Sequence, residues 1–97
     1  MGSLIDGLNK AFESRVRLGI MSVLTVNEAV DFNTLKELLD VTDGNLASHL
    51  KALEKEDMIT MKKKFIGRKP NTTYSITETG LSAFNAHINA LEKLFRS

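Results

Sequence analysis

The chain has 97 residues, no cysteine, one proline and a formal net charge of +1, with 42% hydrophobic and 26% charged residues. This size and composition indicate one globular domain over residues 1–97, and they exclude a disulfide framework, a thiolate metal site and a cysteine nucleophile. The apolar runs are too short to cross a bilayer and no secretory signal is recognised, so we expect no membrane partner and a cytoplasmic location.

The N-terminal third is predicted to be mostly helical. Residues 3–12 place Ile5, Leu8 and Phe12 at helical spacing, which predicts a short amphipathic segment. Ser14 is a favourable N-cap for the next helix, because its hydroxyl can accept a hydrogen bond from a free backbone N–H. The apolar stripe of that helix is formed by Val16, Ile20, Val23 and Leu24. Residues 29–32 then predict a brief extended segment.

Residues 33–57 predict two short helices separated by a tight break at Val41 and Thr42. Asn33 is expected to cap the first helix and Thr42 the second. The spacing of the leucines in the second helix is typical of a buried stripe. The leucines expected to face the core are Leu35, Leu38 and Leu39 in the first helix, and Leu46, Leu50 and Leu53 in the second. This is the pattern of a helix-turn-helix unit.

Residues 58–76 change to the two-residue alternation of strands and predict a β-hairpin with its turn at residues 67–71. Ile59, Met61 and Phe65 share one face, with Tyr74 and Ile76 of the return strand also inward. Thr60, Lys62 and Lys64 share the other face. No acid interrupts a cluster of five basic residues, which are Lys62, Lys63, Lys64, Arg68 and Lys69.

The hairpin concentrates the positive charge of the chain. The other eight basic residues are outnumbered by twelve acidic ones, so the hairpin carries +5 and the rest of the chain −4. A nearly neutral chain with its positive charge on one element is expected to bind an anion there and not over its whole surface. Duplex nucleic acid is the obvious polyanion.

Residues 78–96 predict a long C-terminal helix capped by Thr77, with Glu78 in the first turn, where a negative charge interacts favourably with the helix dipole. Its apolar residues step by three and four positions, the a/d pattern of a helix–helix seam. They are Leu81, Phe84, Ile88, Leu91 and Phe95. Two heptads alone are marginal in water, so we expect the apolar N-terminal segment to join them. Together they predict the interface of a homodimer.

The order of these elements resembles the winged-helix regulators of the MarR/ArsR superfamily, and most of all their small single-domain branch. The resemblance covers about residues 10–95. The residues that carry it are Phe12, Ser14-Arg15-Val16-Arg17, Ile20, Asp31-Phe32, Leu35-Lys36, Thr42-Asp43-Gly44-Asn45-Leu46, Ser48-His49-Leu50, Leu53-Glu54, Lys64-Phe65, Gly67-Arg68-Lys69-Pro70, Thr72, Tyr74, Thr77 and Gly80.

The resemblance implies a mainly α (α+β) fold, a winged helix-turn-helix with a β-hairpin wing at about residues 58–76. The last helix, about residues 78–96, becomes a dimerisation helix. Residues 43–52 become the recognition segment, which lies in the major groove of double-stranded DNA. Residues 62–69 become the part of the wing that reaches the DNA backbone or minor groove.

The DNA-binding residues of the recognition helix are then Asp43, Gly44, Asn45, Ser48, His49 and Lys51. Asn45, Ser48 and His49 carry donors and acceptors suited to base edges, although Asn45 can instead serve the helix start and Ser48 can be merely solvated. Lys51 is either a phosphate contact or an exposed charge. Gly44 either lets a phosphate approach the helix N-terminus or is simply tolerated there. Because this face is not strongly basic, DNA shape is expected to share in the readout.

In the wing, Arg68 at the hairpin tip is expected to enter a narrow minor groove. The side chains expected to neutralise phosphates are Lys62, Lys64 and Lys69. The lysines of the wing are Lys62, Lys63, Lys64 and Lys69. The alternative is an edge strand protected from aggregation, for which lysines are common. Edge protection does not need five charges of one sign, so nucleic-acid contact is the preferred interpretation.

Four other residues leave alternatives open. His49 and His87 lie in different elements, without cysteines or clustered carboxylates, so unliganded histidines are preferred to a metal site. Arg15 and Arg17 either touch phosphates or pair with Glu13 and neighbouring acids, with pairing preferred. No metal and no cofactor is expected, and no effector ligand can be named.

The sequence therefore predicts a dimeric, sequence-specific DNA-binding transcriptional regulator, and repression is expected because a dimer can simply occlude a promoter. The alternative is a winged helix that binds a protein partner within a larger complex, or one that binds RNA. The +5 hairpin favours nucleic acid. An enzyme is not expected, because no nucleophile–base pair, phosphate loop or metal-ligand spacing is present.

Overall fold

The computed structural model describes residues 3–96 and contains four helices and a three-stranded antiparallel sheet. A single 3-10 turn, Lys10–Phe12, precedes them. The helices are α1 (Arg15–Thr25), α2 (Phe32–Leu39), α3 (Asp43–Lys55) and α4 (Glu78–Arg96). The strands are β1 (Val30–Asp31), β2 (Ile59–Ile66) and β3 (Lys69–Ile76). The expected helix-turn-helix with a following hairpin and a long last helix is confirmed.

The core lies where α1 and α3 pack against each other, closed by the sheet and by the start of α4. The predicted leucine stripe of α3 is fully buried, and it consists of Leu46, Leu50 and Leu53. In α1, Met21 is fully buried, whereas Val23 is only half-buried. Each fully buried side chain of this size stabilises the fold by about 1.5–3 kcal/mol relative to an exposed one. The packing of α1 on α3 therefore fixes the position of α3.

The strand order is β1-β3-β2, so β3 is central and the β2–β3 hairpin projects from the domain. Tyr74 of β3 pairs with Val30 of β1 on one side and with Met61 of β2 on the other. At the tip of the hairpin, Ile66 pairs with Lys69. Only two residues connect the strands, fewer than the five predicted, because Gly67 adopts a left-handed φ of +65° and closes a tight turn.

Two predicted details before α2 are wrong. No α-helix forms in residues 3–12: a turn closed by Ser3 and Asp6 precedes the 3-10 turn, and Ile5 is exposed. The cap of α2 is Asp31, not Asn33, because the Asp31 carboxylate accepts hydrogen bonds from the backbone N–H of Thr34 (3.3 Å) and from its hydroxyl (2.5 Å). These bonds lower the pKa of Asp31, the hydroxyl bond most.

The end of α2 also differs from the prediction. Leu38 points away from the core and is exposed, so only Leu35 of this helix is fully buried. The break before α3 runs from Asp40, which takes a left-handed φ of 51°, to the cap residue Thr42. An aspartate tolerates this conformation better than most residues.

The joint between α3 and β2 is held against the start of α4. The Thr77 hydroxyl donates to the carbonyl of Asp57 (2.6 Å) and accepts from the backbone N–H of Gly80 (2.8 Å), so Thr77 caps α4 as predicted. A Cβ atom on Gly80 would lie 2.0 Å from the carbonyl oxygen of Met58. The packing of α4 on this joint therefore requires glycine at position 80.

Candidate nucleic-acid interface

The start of α3 is fixed by two local interactions. The Thr42 hydroxyl accepts a hydrogen bond from the backbone N–H of Asn45 (3.2 Å), as a helix cap does. The Asp43 carboxylate forms an ion pair of 2.7 Å with the ammonium of Lys36 on α2. This pair is exposed, so its contribution to stability is small. It joins the two helices and partly neutralises the acid that faces the candidate DNA surface.

The outward face of α3 is polar and nearly uncharged. Gly44, Asn45, Ser48 and Lys51 are exposed there, opposite the buried leucines. Within residues 3–96, the side chains of Asn45, Ser48 and Lys51 make no hydrogen bond or ion pair, so their donors and acceptors are open to a ligand. A Cβ atom on Gly44 would meet nothing within 4 Å, so its side of the helix is open space.

His49 is the exception on this face, because it is half-buried and already has a partner. The Nε–H of Arg17 on α1 donates to Nδ1 of His49 at 3.0 Å. Burial lowers the pKa of His49, and the neighbouring positive charge of Arg17 lowers it further. Arg17 forms no ion pair within residues 3–96, so the preferred pairing with an acid is not found there. Neither arginine pairs with Glu13 in the described part of the chain.

The five basic residues of the wing, defined here as the β2–β3 hairpin, are all exposed. The register divides them between two faces, since neighbours along a strand point to opposite sides. Lys62, Lys64 and Lys69 share one face, together with the exposed Ile66. Lys63 lies on the other, and Arg68 is in the turn. None of the five forms an ion pair within residues 3–96, so the full +5 charge is available to a polyanion.

Apolar side chains also reach the tip of the wing. Phe65 lies on the face of Ile59 and Met61, as predicted, but beyond the core, with 73% of its surface exposed. Ile66 is exposed on the opposite face. The sequence pattern gave the face of Phe65 correctly but not its distance from the core. The tip therefore combines a guanidinium with two apolar side chains.

The apolar seam of α4 has two parts. Phe84 is only 5% exposed and packs edge-to-face on Phe12, with ring centroids 5.5 Å apart, so it belongs to the core of the chain itself. Leu81 is partly exposed, Ile88 and Leu91 are half-buried, and Phe95 is 85% exposed. Phe84 was predicted to lie in the homodimer interface, but its ring packs instead on Phe12 of the N-terminal segment.

His87 connects that N-terminal segment to α4. Its Nδ1 accepts a hydrogen bond of 3.0 Å from the backbone N–H of Asn9, and its ring packs against Phe12. It is 4% exposed, and burial lowers its pKa, with a smaller opposing effect from Glu13. The described residues hold no cluster of three or more histidines and carboxylates able to bind a metal ion. Neither histidine is paired with a carboxylate there.

Two of these contacts could not be predicted from the sequence. Arg17 and His49 are 32 positions apart and lie on different helices, so neither periodicity nor local spacing indicates that they meet. The same holds for Asn9 and His87, 78 positions apart. Helix packing alone brings each pair together.

Residues 16–95 match a family model described as winged helix DNA-binding domain. An uncharacterized protein of Methanocaldococcus jannaschii is 40% identical over 88 residues, which are 91% of this chain and 96% of that protein. The structure of a transcriptional regulator homologue protein from Pyrococcus horikoshii OT3 superimposes with a TM-score of 0.85 at 28% identity, covering 96% of this chain and 90% of that one.

A protein from Enterococcus faecalis V583, described as a transcriptional regulator of the MarR family, is similar in fold. It superimposes with a TM-score of 0.73 at 20% identity, and the match covers 96% of this chain and 79% of that one. In the described part of this chain, no helix is both long enough and apolar enough to span a membrane.

Proposed function

The chain belongs to the winged helix DNA-binding domain family, and from that premise we propose that it is a sequence-specific transcriptional regulator that binds duplex DNA as a homodimer. In this proposal α3 lies in the major groove, and the wing lies against the backbone and minor groove. Bound at a promoter, such a dimer represses transcription by occlusion. Because the proposed role requires contact with DNA, we place the protein in the same cellular compartment as the DNA.

The observation that carries the proposal is the unpaired charge of the wing. The five basic side chains are exposed, no acidic residue lies in the hairpin, and no ion pair within residues 3–96 neutralises them. Phosphates of a duplex are spaced closely enough to neutralise several such charges at once, and the released counterions then drive binding. A protein partner rarely offers so dense a row of negative charge.

The polar face of α3 supports the second part of the proposal. Asn45 and Ser48 are exposed and without side-chain partners within residues 3–96, and the capped start of the helix lies beside them. An asparagine side chain can make two hydrogen bonds to adenine in the major groove. Because few charges lie on this face, we assign to it the recognition of bases and not the bulk of the affinity.

The homodimer rests on the apolar surface at the far end of α4. Phe95 is largely exposed there, and Leu4 and Ile5 of the N-terminal segment are exposed as well. A groove of about 500 Å³ lies between that segment and α4, lined in part by Gly7 and Ala90. A second copy is the occupant we propose, because a twofold axis through α4 would present two copies of α3 to successive major grooves.

The direct test of the function is binding to random-sequence duplex DNA at several salt concentrations, with sedimentation to measure mass. We expect a dimer whose affinity falls steeply with salt, by about 0.9 in logarithmic slope for each neutralised phosphate. No detectable binding at low salt would contradict DNA binding and favour a protein-binding winged helix. Stronger binding to RNA than to DNA would favour the RNA-binding alternative.

The dimer has a separate test. We expect Phe95→Ser to shift the sedimentation profile to the monomer, because it places a hydroxyl in the proposed apolar interface. Val26→Ser is the matched control, since Val26 is also exposed but lies at the end of α1. Equal masses for both variants would contradict an interface at the end of α4.

A further inference from the structure

The side chains of Arg17 and His49 form a hydrogen bond at the edge of the candidate interface. Arg17 is half-buried on α1, and its Nε–H donates to Nδ1 of His49 on the polar face of α3. The two residues join helices that pack directly against each other. A hydrogen bond of 3.0 Å is within the normal range for an N–H donor. The contact therefore fixes the His49 ring relative to the domain core.

The chemistry of imidazole makes this contact informative. A neutral histidine carries one proton, so one ring nitrogen donates and the other accepts. Because Nδ1 of His49 accepts from Arg17, the proton is on Nε2. The adjacent guanidinium also disfavours a second proton, and together with burial it lowers the pKa of His49. His49 is thus held as a neutral ring with a single, defined donor.

That donor is free to meet a ligand. Within residues 3–96, no buried side-chain nitrogen or oxygen lacks a hydrogen-bond partner. Nε2 of His49 has no such partner there, so it must reach solvent. His49 also follows Asn45 by one helical turn, and residues four apart are neighbours on one helix face. The free N–H therefore belongs to the surface that carries Asn45.

We propose that Arg17 is a positioning residue, which fixes the tautomer of His49 so that its Nε2–H donates to an acceptor on a base edge in the major groove. The acceptors of this kind are N7 of guanine and adenine, O6 of guanine and O4 of thymine. A histidine in the other tautomer presents an acceptor at the same position and rejects these atoms. The inference rests on the proposed function, since it requires α3 in the major groove.

The proposal distinguishes Arg17 from an ordinary phosphate contact. Arginine has donors besides Nε, so Arg17 could bind a phosphate directly without acting through His49. A phosphate contact predicts that Arg17 and His49 contribute independently. A positioning role predicts that the loss of Arg17 matters only while His49 is present. Arg15 is the matched control, because it is an exposed arginine on the same helix without a contact to His49.

The first measurement needs no DNA. Long-range nitrogen–proton NMR spectra at pH 7.5 distinguish the two tautomers of each histidine. We expect His49 to be in the Nε2–H form in the wild type and in Arg15→Met, and to populate both tautomers in Arg17→Met. His87 is an internal reference, because its Nδ1 also accepts a hydrogen bond, from Asn9, and does not contact Arg17. An unchanged His49 signal in Arg17→Met would overturn the proposal.

The second measurement is a double-mutant cycle on a duplex that the wild type selects from a random pool. We expect Arg17→Met and His49→Ala each to weaken binding about tenfold, and the double variant to bind no more weakly than His49→Ala alone. We expect His49→Gln to retain more affinity than His49→Ala, because the glutamine amide carries an N–H donor whether or not Arg17 is present. In the His49→Gln background, Arg17→Met should cost no more than Arg15→Met.

The outcomes separate this inference from the proposed function. Additive losses for Arg17→Met and His49→Ala would overturn the positioning role and assign Arg17 to the DNA backbone, while leaving DNA binding intact. Failure of the wild type to retain any duplex from the pool would overturn the proposed function, and base recognition by His49 with it. Thermal unfolding of each variant in parallel excludes loss of the fold as the cause.

Discussion

Helix α3 buries three leucines and is tied to both neighbouring helices, by the Lys36–Asp43 ion pair and the Arg17–His49 hydrogen bond. In the wing, by contrast, no residue from 61 to 73 is buried. All five basic residues of the hairpin lie in that exposed stretch, whereas the polar face of α3 carries few charges. One element is fixed by packing, and the other is defined by its charge.

This difference suggests a division of labour in DNA binding. Base recognition needs donors and acceptors held in a defined geometry, which α3 offers because the core fixes its position. Attraction to phosphates needs charge but tolerates imprecise geometry, which suits an exposed hairpin. In the proposed complex the wing therefore supplies most of the affinity, and α3 supplies most of the sequence preference.

The largest effect is expected from Gly80→Ala, which disturbs the joint between α3 and β2, where both α3 and the wing are anchored. The new Cβ would overlap the carbonyl of Met58 at the joint between them, and relief requires α4 to move. We expect a loss of about 3 kcal/mol in the free energy of unfolding, measured by denaturant titration. Gly44→Ala is the control, because its Cβ meets nothing; an equal loss there would contradict the steric explanation.

The next largest effect is expected from removing charge from the wing. Lys62→Ala with Lys64→Ala should lower the logarithmic salt slope by about 1.8 per protomer and weaken binding to any duplex by roughly 60-fold per protomer at 0.1 M salt. The matched control is Lys10→Ala with Lys55→Ala, which removes the same charge outside both the hairpin and the proposed dimer groove. If the control pair flattens the slope equally, the wing has no special part in binding.

A smaller and more selective effect is expected from Asn45→Ala in α3. Loss of a base contact costs about 1–3 kcal/mol on the preferred sequence, whereas binding to other duplexes and the salt slope should not change. Asn85→Ala is the control, since Asn85 is exposed on α4 and does not line the proposed dimer groove. A uniform loss on all duplexes would assign Asn45 to the backbone and not to the bases.

The smallest effect concerns pH and arises from the half-buried histidine of α3 and the buried histidine of α4. Burial lowers the pKa of His49 and of His87 below the usual histidine value of 6.5, so the unfolded chain binds their protons more readily than the folded one. Stability is therefore full above pH 6.5 and is lost as the pH falls through the lowered values. We expect His87→Gln to weaken this dependence in unfolding experiments, and an unchanged dependence would contradict it.

The sequence was sufficient for the framework of the molecule. The predicted resemblance to winged-helix regulators is confirmed, as are the buried stripe of α3 and the caps at Ser14, Thr42 and Thr77. These features depend on local spacing or on one side chain near its own helix, which a sequence displays directly. The basic cluster of the hairpin is likewise visible as a run of residues.

Features that depend on distant packing were missed. The burial of Phe84, the requirement for glycine at position 80 and the Arg17–His49 contact all follow from how helices meet. Leu38 fits the helical spacing of its neighbours, but its side chain is exposed because the core of residues 3–96 does not extend over that part of α2. Local spacing predicts which residues share a face, and it does not predict how far the core extends along that face.

The most direct test of the division of labour between α3 and the wing is a comparison of salt dependence on two duplexes. Salt titrations of the wild type, the Lys62/Lys64 double variant and Asn45→Ala would be compared on a selected duplex and on a scrambled duplex of equal length. We predict that the wing variant loses affinity and slope equally on both duplexes, while Asn45→Ala loses affinity only on the selected one. A wing variant that lost affinity only for the selected duplex, or an Asn45 variant with a flatter slope, would contradict this account.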